Sequence, residues 1–177
     1  MTKIFLLRHG ETESGQCFRG SLDDELTETG WQQMRQGVEA CPIPDVILTS
    51  PLKRCARFAH SIAEKWKRRV EYVEGLKELD FGEWEGQTAT QILQTHPDEL
   101  TAFWRDPYSI TPPGGESFAL FESRIRQSWE ERLSDARRSQ LIVCHAGPIR
   151  LIRVLEYQLP VDQLMHYEVA SGSLHQF

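Results

Sequence analysis

Lys3-Ile4-Phe5-Leu6-Leu7-Arg8-His9-Gly10-Glu11-Thr12 stands near the start of the chain and carries four consecutive apolar residues that end on a cation, an imidazole and a glycine. A run apolar at every position, rather than at every second one, fits a strand buried on both faces, as in a parallel sheet. Residues 3–8 are therefore predicted as a strand. Residues 45–49, with Val46-Ile47-Leu48, and residues 140–144, with Leu141-Ile142-Val143, repeat the pattern. Residues 70–73 and 173–177 are predicted as shorter strands.

Helical spacing fills the gaps. Thr27 is a predicted N-cap for a helix through Trp31, Met34 and Val38. Ser50 followed by Pro51 predicts a cap with proline at the first helical position. The helix after it carries Cys55, Ala59, Ile62, Ala63 and Trp66 on one face. Ser117 caps a predicted long helix with the stripe Phe118, Phe121, Ile125, Trp129 and Leu133, and a last helix spans 148–157. Residues 88–94 and 97–105 read as two shorter helices. Strands alternating with helices predict an α/β fold: a three-layer sandwich with a mostly parallel central sheet flanked by helices. Without repeats or a linker, residues 1–177 are expected to form one domain, with a helical insertion around 84–116.

Composition narrows the function. The chain has 177 residues and a net charge of −6, which argues against a nucleic-acid binder because phosphate backbones select basic surfaces. No apolar run approaches the roughly 20 residues that span a membrane, and the N-terminus lacks the pattern of an export signal. A cytoplasmic protein is expected. Cys17, Cys41, Cys55 and Cys144 show no regular spacing, so reduced, packed thiols are expected. No cluster has the spacing of a metal site, and no metal or cofactor is expected.

Ligands of open parallel sheets bind outside the carboxyl ends of the strands. Three strand ends here carry reactive or cationic residues: Arg8-His9-Gly10, Ser50-Pro51-Leu52-Lys53-Arg54 and Cys144-His145-Ala146-Gly147. They would bring Arg, His, Arg and His to one rim, an electropositive pocket in an acidic protein. Such a pocket suits a small phosphorylated substrate.

With these motifs in place the chain resembles the histidine phosphatases, which include the cofactor-dependent phosphoglycerate mutases. Arg8-His9-Gly10-Glu11-Thr12 matches the family signature, Ser50-Pro51-Leu52-Lys53-Arg54 its second motif, residues 78–86 the segment of its proton donor, and His145-Ala146-Gly147 its final motif. The resemblance implies that His9 attacks phosphorus, forming a phosphohistidine. It implies that Arg8, Arg54 and His145 hold the non-bridging oxygens, and that Glu78 protonates the leaving oxygen. It also implies substrate contacts at Gly10, Thr12, Gly15, Gly20 and Ala146. Fixed cations can stand in for a metal in phosphoryl transfer. Arg57, on the same helical face as Arg54, is a rival cation, and Glu83 and Glu85 are rival acids. Gly15 stands where the family often has asparagine, and Ala146 where it often has glycine.

The chain ends on its last predicted strand, with no tail to close over the site, which favours hydrolysis over mutase activity. Trp84, Phe103, Trp104 and Tyr108 in the insertion offer aromatic surface for a base or sugar. Residues 81–86, Trp104 and Gly115-Glu116-Ser117 resemble the α-ribazole-5′-phosphate phosphatases. Three functions follow: an α-ribazole-phosphate phosphatase of cobalamin biosynthesis; a broad sugar-phosphate phosphatase or small phosphoglycerate mutase; and a non-catalytic phosphate-binding regulator. Retention of His9, Glu78 and His145 together disfavours the last. The oligomeric state stays open.

Overall fold

The computed structural model describes residues 3–133 and 138–177. Five strands form one sheet: β1 (Ile4–Arg8), β2 (Val46–Thr49), β3 (Val70–Tyr72), β4 (Gln140–Cys144) and β5 (Leu174–Gln176), in the spatial order β3-β2-β4-β1-β5. The first four run parallel and β5 joins the edge antiparallel to β1. The three continuously apolar stretches are the three inner strands, as their two-sided burial requires.

Alternation along these strands divides the core in two. Ile4, Leu6, Val46, Leu48 and Ile142 face one layer, with helices α5 (Phe118–Ser128) and α6 (Ala146–Glu156). Phe5, Leu7, Ile47, Leu141 and Val143 face the other, with α1 (Glu28–Gly37) and α2 (Lys53–Trp66). The predicted α/β sandwich with a mostly parallel sheet is the observed architecture.

Caps explain most helix starts. Thr27 accepts from the Gly30 amide at the head of α1, and Ser117 accepts from Leu120 at the head of α5. Thr88 and Gln91 form a capping box that starts α3 (Ala89–Thr95), and Pro97 starts α4 (Pro97–Arg105). Helix α2 departs from expectation. It begins at Lys53, and Ser50 does not cap it. The Ser50 hydroxyl is engaged by His145, and the free amide of Lys53 is taken at 2.7 Å by Asp23 from a distant loop. Helix α5 stops at Ser128 and passes into a wider turn over Trp129–Leu133.

The segment between β3 and α5 holds α3, α4 and their flanking turns. It packs on the α5–α6 side of the sheet through Leu79, Trp84, Ile92, Leu100 and Phe103, all buried. That places the segment beside the carboxyl ends of β1 and β4. Among the described residues, no helix is long and apolar enough to cross a membrane.

Candidate active site

Adjacent parallel strands set the site. β1 and β4 pair in register with Arg8 opposite Cys144, and the His9 amide donates to the Cys144 carbonyl at 3.0 Å. His9 and His145 therefore leave the sheet at the same level, and their rings meet edge to face at 5.2 Å.

His9 is buried, and its Nδ1–H donates to the Gly10 carbonyl at 2.7 Å. The lone pair then sits on Nε2. Burial, then the Arg54 guanidinium, then Arg8 and Arg19 pull its pKa down to about 3, against the Gly10 bond that raises it. The imidazole is neutral at physiological pH, the form a nucleophile needs.

Beneath it lies a second layer of charge. The Arg54 Nε–H donates to His145 Nδ1 at 3.3 Å, which leaves the proton on Nε2 for the Ser50 hydroxyl at 2.8 Å. Burial, then Arg54 and His9, hold the His145 pKa well below its ordinary value. The Arg54 guanidinium also donates to the carbonyls of Leu22 and Gly20, binding that loop to the floor of the site. Its rival separates cleanly: the Arg54 side chain is 0% exposed, whereas Arg57 is 60% exposed and paired with Glu25.

In front of His9 opens a cleft of about 940 Å³. Arg8, His9, Gly10, Thr12, Gly15 and Glu78 line it. So do two arginines absent from the sequence reading, Arg19 and Arg150. Arg54, His145, Gly20 and Ala146 are not on its wall. Arg54 and His145 stand behind the nucleophile, Gly20 presents its carbonyl to Arg54, and Ala146 opens α6. Arg8 donates to the Val169 carbonyl, while Arg19 is held by Asp24 at 2.9 Å and by the Gly15 carbonyl. Burial raises the Asp24 carboxyl, but the nearby Thr12 hydroxyl and the charge of Arg19 outweigh it and keep its pKa low. Gly10 is small for a packing reason as well: a Cβ there would meet the Gly30 carbonyl oxygen at 2.1 Å.

Glu78 faces the cleft with its carboxyl fixed at both oxygens. The Leu79 amide donates to Oε1 and the Gly147 amide to Oε2, each at 3.0 Å. The other candidate acids are elsewhere. Glu85 accepts from the amides of Ser21, Leu22 and Phe81 and ties that loop down, and Glu83 is exposed. The far wall is aromatic, with Phe18, Phe81, Phe103, Phe118 and Phe121, and with Trp104, which is 40% exposed.

Two neutral, buried imidazoles make the fold acid-sensitive in a definite direction. Unfolded, each takes up a proton below its ordinary value of 6.5; folded, His9 resists until about 3. The unfolded chain binds more protons across that window, so stability falls as pH drops from about 6.5 toward 3. The urea midpoint at pH 5 is expected below that at pH 7.5, with a smaller drop in His9→Ala. Equal midpoints in the parent would contradict the buried neutral pair.

A family model described as the histidine phosphatase superfamily (branch 1) matches residues 4–177. A bifunctional protein of Mycobacterium tuberculosis is 33% identical over 190 residues, covering 99% of this chain and 50% of that protein. The chain thus spans half the length of that relative. Phosphoserine phosphatase 1 of Hydrogenobacter thermophilus is 30% identical over 85% of this chain and 74% of its own length. Among solved structures, the α-ribazole phosphatase from Shigella flexneri superposes with a TM-score of 0.85 at 25% identity, covering 99% of this chain and 89% of the other.

Proposed function

Since the chain belongs to the histidine phosphatase superfamily, branch 1, we propose that it is a metal-independent phosphomonoesterase working through a phosphohistidine on His9. One observation carries this reading. A neutral imidazole with its lone pair on Nε2 shares a cleft with a fixed carboxyl, Glu78, and with the guanidinium of Arg8.

The chemistry follows in two steps. His9 Nε2 attacks phosphorus, the bond from phosphorus to the ester oxygen breaks, and the Glu78 carboxyl gives its proton to that oxygen. Water then attacks the phosphohistidine, Glu78 takes a proton from it, the N–P bond breaks, and phosphate leaves a neutral His9. Arg8 at the wall, with the Arg54 cation behind the nucleophile, offsets the charge on the transferring group, while His145 stays neutral between Arg54 and Ser50 and holds that arginine in place. Thr12, Gly10 and Gly15 border the phosphoryl end, and Gly20 and Ala146 shape the backbone around it. This is the arrangement expected of a single domain whose 84–116 insertion sets the leaving group. The free, mostly buried cysteines suit a cytoplasmic setting.

The substrate we favour is α-ribazole 5′-phosphate, on the strength of the aromatic wall, where Trp104 and the partly exposed Phe81 offer faces for a base. A second reading, a broader phosphatase of small phosphates, is favoured by Arg19 and Arg150, which would suit an additional anionic group. Hydrolysis in EDTA of α-ribazole 5′-phosphate, phosphoserine, sugar phosphates and 3-phosphoglycerate decides between them. The expected result is metal-free turnover, with kcat/KM for α-ribazole 5′-phosphate about tenfold or more above the rest, because stacked and unstacked leaving groups differ in transition-state binding. A flat profile would keep the chemistry and remove the substrate. Silence on every compound would leave only a phosphate-binding protein.

A further inference from the structure

Glu78 lies on a stretch with little regular structure, between one-turn helices at Glu74–Leu76 and Gly82–Trp84. No sheet ladder fixes it. Arg124, on α5, supplies the missing restraint. Its Nη1 donates to the carbonyls of Gly75 at 2.8 Å and Lys77 at 2.7 Å, and its Nη2 donates to the carbonyl of Glu78 at 2.9 Å. The remaining donors form a two-pronged pair with Glu116, from Nε at 2.7 Å and Nη2 at 2.8 Å. All five N–H groups of the guanidinium are thereby used.

Glu116 closes the bracket from the other side. Its amide donates to the Asp80 carbonyl at 2.9 Å, and its carboxylate accepts from the Asp80 amide. Residues 75–80 are thus gripped on both flanks of Glu78 by one ion pair, which borders a groove of about 790 Å³ that adjoins the His9 cleft at Glu78. Neither Arg124 nor Glu116 lines the cleft that holds His9, so neither touches a substrate there.

We propose that Arg124, locked to Glu116, is a positioning residue that sets where the Glu78 carboxyl stands against the leaving oxygen. The proposal rests on the reading of Glu78 as proton donor. A proton donor acts only within hydrogen-bond reach of its acceptor, so a small displacement removes its effect. The signature is selective. An alkoxide needs the proton as it leaves; p-nitrophenolate leaves without it.

Arg124→Gln, Arg124→Lys, Glu116→Gln and Glu78→Gln would be assayed on α-ribazole 5′-phosphate or phosphoserine, whichever turns over faster, and on p-nitrophenyl phosphate. Arg124→Gln is expected to lower kcat/KM on the alkyl ester, which reports the step that expels the leaving group, by about 10²-fold, the scale of a misplaced reacting group. Its kcat/KM on p-nitrophenyl phosphate should fall only a few-fold. By contrast, kcat includes the attack of water on the phosphohistidine common to both esters, where Glu78 acts as base, and carries any loss in that step on both alike. Lysine should recover little, since an ammonium cannot copy the planar fork. Should Arg124→Gln fail to fold, Arg124→Lys and Glu116→Gln carry the same test. Equal losses of kcat/KM on both substrates would overturn the positioning role. If Glu78→Gln discriminates between the substrates and the Arg124 variants do not, only that role falls. If Glu78→Gln itself lowers kcat/KM equally on both, the proton-donor reading falls with it.

Discussion

His9→Ala is expected to abolish turnover, with kcat down by about 10⁵-fold or more, the scale on which removing a covalent nucleophile acts. The size follows from the geometry. The neighbouring imidazole cannot take over: His145 is fully buried behind His9, with one ring nitrogen accepting from Arg54 and the other bonded to Ser50. Quenching the parent enzyme during turnover of a ³²P-labelled ester should leave label on the protein that is lost in acid and kept in alkali, as a phosphoramidate behaves. His9→Ala should carry none. Label persisting in the variant would place the covalent intermediate on another residue.

Gly147→Ala is expected to come next in effect, with kcat on an alkyl phosphate ester down by about 10²-fold while the fold survives. A Cβ at position 147 would lie 2.1 Å from Glu78 Oε1 and 3.0 Å from its carboxyl carbon. The obstacle is the far end of a side chain, which can swing away. The swing breaks the bond from the Gly147 amide and carries the carboxyl off its station. Thermal melting should shift little. Alanine at Gly10 meets a backbone carbonyl instead, so its damage should appear in folding yield. A Gly147→Ala enzyme with full kcat on the alkyl ester would show that the carboxyl's place is not critical.

Much of this was legible because the signals are local. The inner strands announce themselves through two-sided burial, and the caps at Thr27 and Ser117 bind amides three residues on. Ser50 misled for the opposite reason. Its hydroxyl is claimed by a histidine 95 residues away, so a sound local cap signal lost to a tertiary bond. Arg54 and Arg57 lie only three residues apart on one helical face; motif position points to Arg54, and burial separates the two in space.

What sequence did not yield has the same logic. Arg19 lies in a loop with no period to read, and its place on the cleft depends on Asp24 and the Gly15 carbonyl. Arg150 left a trace: three residues after Gly147 in α6, it shares that glycine's face. The grip on Glu78 is invisible in sequence because it is made by backbone amides and by carbonyls spread over residues 75–80. The motifs thus identify reacting groups, while the parts that aim them are conveyed by the fold.

The register of β1 against β4 has a consequence for how such a chain can change length. Arg8 opposite Cys144 fixes the two histidines that follow at one height. Inserting or deleting a single residue in either strand would turn its side chains to the opposite face. One imidazole would then leave the site, and two cores would exchange their apolar contacts. Length variation is therefore barred from these ten residues, and it is free to accumulate in the turns that flank α3 and α4, where no ladder counts residues.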